Sequence, residues 1–214
     1  MSATPPEAPR DCPLCPRLVA YREQNARSEP HWFNGAAPSF GDENAKLLIV
    51  GLAPGRTGAN RTGRPFTGDY AGDLLYGTLK KLGLAKGEYR ADPNDGFTLV
   101  GAMITNAVRC APPENKPLPA EIATCRPFLE SRIRALAKAR AIMALGSIAH
   151  ESVLRAHGLK PTQAKFGHGV EVALPGGRTL ISSYHCSRYN TQTRRLTAEM
   201  FETVMARAKA LALD

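Results

Sequence analysis

The chain predicts an α/β fold: a parallel-rich sheet with helices on both faces. Three observations lead there. Short apolar runs end in glycine, as in Lys46-Leu-Leu-Ile-Val-Gly51 and Ala141-Ile-Met-Ala-Leu-Gly146, and such runs suit strands buried on both faces. Between them lie segments with apolar residues at helical spacing, and strand–helix alternation builds a parallel sheet. The chain has 214 residues, 43% of them hydrophobic, enough for one domain with a real core.

The elements follow in order. Residues 1–10 are rich in Pro, Ala and Glu and read as a disordered tail, leaving residues 11–214 as one domain. Arg17 to Asn25 fits a helix, and Pro30 to Asn44 is a polar loop. Lys46 to Gly51 is the first buried strand. A long glycine-rich loop follows, then a helix from Asp73 to Leu82 carrying Leu74, Leu75, Leu79 and Leu82, ended by Gly83. Phe97 to Asn106 is a strand whose polar end lies where open α/β sheets gather ligands. Pro112, Pro113, Pro117 and Pro119 stiffen the next stretch. A helix runs from Pro119 to about Lys138, with Ile122, Leu129, Ile133 and Leu136 inward. Ala141 to Leu145 is a strand, followed by Gly146 and a helix through Ala156. Val170 to Leu174 and Arg178 to Ser182 flank the Pro175-Gly-Gly177 turn. Thr197 caps a last helix, with Glu199 and Glu202 near its positive end.

Bulk properties narrow the function. No apolar run approaches the ~18 residues that cross a bilayer, and Met1 to Arg10 has no apolar signal core; the cytoplasm is the expected compartment. Net charge is +9 and the pI about 9.6. A basic balance favours a polyanion such as nucleic acid, with plain solubility as the alternative. Arg188, Arg194 and Arg195 bracket an Asn-Thr-Gln-Thr stretch.

Four cysteines carry chemistry. Cys12 and Cys15 form a C-x-x-C, and Cys110 and Cys125 follow far along the chain. A cytosolic chain seldom keeps such a set for disulfides; thiolates so spaced hold zinc or an iron–sulfur cluster, or are merely free thiols. A metal would staple the N-terminal arm to the proline-rich loop. Cys186 stands apart as a free thiol. The Gly51–Asp69 loop holds Gly51, Gly55, Gly58, Gly63 and Gly68, lacks a phosphate-loop signature, and carries Phe66 behind Pro65 and then Asp69. A planar ligand can stack on the ring while the carboxylate handles water; a buried Phe and a helix-capping Asp are the plainer alternative. Asn106 suits reading a base edge or a turn. His185, after a strand, can donate a hydrogen bond to a leaving group. His31, His150, His157 and His168 read as structural.

In this order the pieces resemble the uracil-DNA glycosylase superfamily, and more narrowly its type B (family five) branch. The carriers are Gly51-Leu-Ala-Pro-Gly55, Asn60-Arg-Thr-Gly-Arg-Pro-Phe-Thr-Gly-Asp69, Asn106-Ala-Val-Arg-Cys-Ala-Pro-Pro-Glu-Asn-Lys-Pro117 and His185-Cys-Ser187 through Asn190-Thr-Gln-Thr193. The resemblance implies a three-layer α/β/α fold around a four-stranded, mainly parallel sheet. It implies a four-iron, four-sulfur cluster of structural role on Cys12, Cys15, Cys110 and Cys125. It implies a monofunctional hydrolase that flips uracil from DNA, cuts the N-glycosidic bond and leaves an abasic site. Asp69, His185 and Asn106 are then catalytic. Gly51, Leu52, Ala53, Pro54, Gly55, Phe66, Asn106 and His185 hold the base. Arg61, Arg64, Ser187, Arg188, Tyr189 and Asn190 contact DNA, Arg188 or Tyr189 as the wedge.

Two positions matter to that reading. The third motif has Cys186 where the family usually has proline, which predicts a looser His185 loop. The first motif has Ala53 where other members place a water-handling Asp, so the role passes to Asp69. The expected partner is DNA bearing uracil or another deaminated base such as hypoxanthine or xanthine, handled by a monomer. The rivals are a binding module without catalysis and a zinc-stapled scaffold.

Overall fold

The structure, a computed structural model, describes residues 4–213. In chain order these form α1 (Pro16–Ser28), β1 (Phe40–Gly41), β2 (Leu47–Gly51), α2 (Ala59–Thr62), α3 (Tyr70–Lys81), β3 (Ala85–Lys86) and β4 (Thr98–Leu99). There follow β5 (Ala102–Asn106), α4 (Pro119–Ala135), β6 (Ala141–Leu145), α5 (Ser147–Ala156), β7 (Glu171–Leu174), β8 (Arg178–Ser183), α6 (Arg188–Gln192) and α7 (Ala198–Leu213).

The main sheet runs β1-β5-β2-β6-β8-β7. Strands β5, β2, β6 and β8 are mutually parallel, whereas β1 and β7 add on antiparallel. The four-stranded expectation is therefore corrected to six strands: a parallel centre with an antiparallel strand at each edge. The predicted Phe97–Asn106 strand is in fact two. Gly101, at φ 64°, breaks it, and β4 leaves the sheet to pair with β3.

β2, β5 and β6 are buried throughout and β8 from Leu180 onward, and alternation divides their side chains between two cores. Leu47 and Ile49 pack with Leu75 and Leu79 of α3 and with Phe201 and Met205 of α7. Leu48 and Val50 point the other way, onto Leu129 and Ile133 of α4 and Val153 and Leu154 of α5. Three layers result. A smaller cluster gathers Leu18, Val108 and Phe128 with Cys12, Cys110 and Cys125.

The predicted tail is a second correction, while Met1 to Ala3 lie outside the described residues. Thr4 to Arg10 lie against the body. Glu7 accepts from Arg109 Nη1 at 2.8 Å, from the Ser39 amide at 2.9 Å and from Arg132 Nε at 3.0 Å. Arg109 Nη2 donates to the Pro6 carbonyl. Arg109 is 1% exposed, and a cation so buried needs a counter-charge. Low hydrophobicity made the segment look free; buried arginines elsewhere hold it. Glu7→Ala should therefore cost about 3 kcal/mol in urea unfolding, the low end for a broken buried pair. A loss within the ~0.5 kcal/mol usual for surface positions would return the segment to a tail.

Candidate active site

β2 and β5 end side by side, with Gly51 opposite Asn106 in the register. Beyond these carboxyl ends opens a cleft of about 420 Å³ lined by Leu52 to Thr57, Phe66, Asp69, Asn106 and His185, a volume within the ~300–1,000 Å³ of small-ligand sites. Gly51 lies against its base. A Cβ there would fall 2.5 Å from Asn106 Oδ1 and 2.7 Å from Phe66 Cζ.

Asn106 is 3% exposed, and its Oδ1 has no hydrogen-bond partner among the described residues. A buried acceptor left unmade costs ~1–3 kcal/mol, so the cleft carries a standing demand for a donor. Phe66 stands beside it, 7% exposed, its ring stacked with that of His185 at 5.9 Å between centroids and 29° between planes. Phe66 adopts φ 53°, a left-handed conformation costing on the order of 1–3 kcal/mol for a residue with a Cβ. Two tyrosines hold it there. Tyr76 donates to the Pro65 carbonyl, while the Tyr89 hydroxyl donates to the Phe66 carbonyl at 3.2 Å and accepts from the Gly68 amide.

Asp69 caps α3, accepting from the Gly72 amide at 3.2 Å, so the helix begins three residues before its predicted start. Its other oxygen faces Gly58, where a Cβ would come within 2.5 Å. Burial raises its pKa above the ordinary carboxylate value, against the pull of the Gly72 and Ala71 amides. Burial lowers the His185 pKa to about 4, so its ring is neutral at pH 7 and can still donate one N–H. Hydrogen bonds and burial hold the loop bearing it. Asn190 Nδ2 donates to the His185 carbonyl at 2.8 Å, the Tyr184 amide donates to His168 Nδ1, and Cys186 is fully buried in the core.

A family model described as the Uracil DNA glycosylase superfamily matches residues 38–209. The chain belongs to the uracil-DNA glycosylase superfamily. It is 49% identical over 207 residues to a type-5 uracil-DNA glycosylase of Thermus thermophilus, covering 94% of each chain. A type-5 enzyme of Mycobacterium bovis is 43% identical over 94% of this chain and 78% of its own. One of Pyrobaculum aerophilum is 40% identical over 94% and 88%.

In this superfamily member the residues expected on DNA separate into groups. Ser187 and Arg188 line the cleft; Arg188 lies 5.2 Å over the Tyr70 ring. Tyr189 is 72% exposed at the start of α6. Asn190 serves the His185 loop. Arg61 lies outside the cleft, on a neighbouring depression. Arg64 is a correction: it is 4% exposed, bidentate to Asp95 at 2.8 Å, and boxed by Phe40, Tyr76 and Tyr89. It braces the Phe66 turn through Thr67 Oγ1 and has no face for DNA. Reasoning from sequence missed Arg56, Thr57, Tyr70 and Asn115, all of which line the cleft. Of these, Asn115 lies inside a quoted motif, whereas Arg56 and Thr57 fall in the gap between Gly55 and Asn60.

The four cysteines of this glycosylase-family chain share one small cavity, with Leu18, Val108 and Phe128 around them. Burial raises Cys110 to about 12 and Cys125 to about 11. The Arg109 amide donates to Cys125 Sγ at 3.3 Å, and Arg22 Nη1 lies 3.9 Å from Cys110 Sγ. Among the described residues no three His, Cys, Asp or Glu side chains are gathered for a single metal ion.

The lowered His185 pKa has a checkable sign. The unfolded ring takes up its proton first, so His185 withdraws stability as pH falls from about 6.5 towards about 4. An NMR titration should place its midpoint near 4; a midpoint at 6.5 would mean that the ring is solvated.

Proposed function

We propose that this protein removes uracil from DNA by hydrolysing the N-glycosidic bond of an extruded nucleotide. The observation that carries the reading is the unpartnered Asn106 Oδ1, buried in a cleft shared with Phe66, Asp69 and His185. Uracil offers an N–H beside a carbonyl, matching an amide's acceptor and donor, whereas cytosine presents a donor where uracil has its carbonyl. The names of the type-5 relatives support the same substrate.

A target base inside a duplex is out of reach, so the nucleotide flips into the cleft. Phe66 supports its face, worth ~1–3 kcal/mol for a stacked base. Bond breaking leaves negative charge on the uracil and positive charge on the sugar. Neutral His185 donates to the developing oxyanion. Asp69 orients or deprotonates water and offsets the sugar cation. Ala53 leaves that face of the cleft open. Arg188 grips the strand at the mouth, and exposed Tyr189 is placed to fill the vacated stack. On this reading the enzyme is a monofunctional monomer in the cytoplasm, with uracil as its substrate and other deaminated bases such as hypoxanthine or xanthine as further candidates.

The same reading assigns a four-iron, four-sulfur cluster to Cys12, Cys15, Cys110 and Cys125. What supports it is their convergence in one small, mostly apolar cavity with N–H donors aimed at two of the sulfurs. Four cysteine thiolates are the ligand set that such a cluster would take, and Cys12, Cys15, Cys110 and Cys125 are the residues that would hold it. When bound, the cluster supplies a covalent staple between the N-terminal arm and α4. The chain's own part is to carry that staple to the cleft. The Ala107 and Val108 amides donate to the Gly51 and Leu52 carbonyls at 2.9 Å, and Ala53 packs on the cysteine cluster.

Incubation with uracil-bearing DNA followed by alkali should cut the strand at uracil. Asp69→Asn should slow single-turnover cleavage ~10²–10⁴-fold, the usual worth of a general base, with DNA binding retained; near-normal cleavage would remove Asp69 from the chemistry. The purified protein should be brown, with iron and acid-labile sulfide, and Cys110→Ser should lose both and melt earlier. A colourless protein holding one zinc would overturn the cluster and leave the cleft standing.

A further inference from the structure

Beside the cleft lies a second depression, lined by Arg10, His31, Trp32, Phe33 and Arg61. Its wall is shared with the cleft. Arg56 lines the cleft, while its guanidinium lies 4.9 Å over the ring of Trp32 and its Nε donates to the buried Asn25 Oδ1 at 2.8 Å. One amide and one ring thus hold Arg56 in a fixed pose on the ridge between the two hollows. Among the described residues, Arg10, Arg56 and Arg61 have no carboxylate partner. His31, read from sequence as structural, is exposed here. The acid on this surface, Asp92, is one of the residues lining the depression with Ala91 and Pro93.

We propose that the DNA strand carrying the extruded nucleotide leaves the cleft across Arg56 and continues, unpaired, through this groove. Arg56 and Arg61 hold successive phosphates, and a neighbouring base rests against Trp32. The inference rests on the glycosylase reading of the cleft and adds a path and a strand state to it. Cations beside the half-buried rings of Trp32 and Phe33 favour an unpaired strand, because a duplex offers phosphates but hides the faces of its bases. Pre-set guanidinium geometry lowers the entropy lost on binding. Asp92 repels phosphate and keeps the backbone to the arginine side.

The test is single-turnover cleavage of single-stranded uracil oligonucleotides with flanks graded from about 2 to about 10 nucleotides, spanning the usual site sizes. Half-saturation should tighten with flank length in the unaltered protein. Trp32→Ala should weaken the long substrates about tenfold, equivalent to one stacked base, and Trp32→Phe should restore them. Arg61→Gln should reduce the slope of log affinity against log salt by ~0.7, one phosphate on a single strand, and Arg61→Lys should keep it. Length gain and salt slope unchanged in Trp32→Ala and Arg61→Gln would overturn the groove. An effect seen only with duplex substrate would overturn it too, by assigning the surface to the opposite strand. Absence of any cleavage by the unaltered protein would instead sink the glycosylase reading on which the groove depends.

Discussion

The cleft exists because residue 51 has no side chain. β2 and β5 run parallel and in register, which brings Gly51 level with Asn106. A methyl group at Gly51 would sit inside contact distance of both the Asn106 amide and the Phe66 ring. Phe66 is fixed by the hydroxyls of Tyr76 and Tyr89 around a left-handed backbone. Asn106 is fixed by the end of a fully buried strand. Close packing of this kind transmits any added volume as displacement, so the glycine sets the spacing between the Phe66 ring and the Asn106 amide.

Around that spacing, desolvation tunes the titratable groups in opposite directions. The carboxyl of Asp69 is made harder to ionise and the imidazole of His185 harder to protonate. Both effects follow from excluding water from a site whose charged forms have few partners. The two groups line the same cleft, one an imidazole held neutral and the other a carboxyl. The two cation–π pairs, Arg56 on Trp32 and Arg188 on Tyr70, place fixed positive charge at the mouth rather than the floor. That arrangement suits a polyanion outside and a neutral base within.

The scaffold behind the cleft is held twice over. The cysteine cavity ties α1 and α4 to the segment that leaves β5. The N-terminal strap ties Thr4 to Arg10 onto Arg109 and Arg132 through Glu7. Both converge on residues 106–110, where Asn106 lies three residues before Arg109 and four before Cys110. Asn106, next to this double anchor, keeps its orientation without spending its side-chain oxygen.

Much of this was legible in the chain. Apolar runs gave the parallel strands, because a strand buried on both faces has no polar alternation to confuse it. Glycine and aromatic residues in one loop, an Asn at a strand end and a His after a strand named the four cleft side chains. What the sequence could not show was direction and pairing. Arg64 and Arg61 sit in one motif, yet Arg64 turns inward to Asp95 and Arg61 outward to a groove, since each depends on residues ~30 positions away. Two-residue strands such as β1 form only because a neighbour offers free amides, and Glu7 is ordered only because Arg109 is buried. Local pattern fixes which elements form and which chemistry they carry; long-range charge pairing and steric room, absent from any window of sequence, decide which side chains meet.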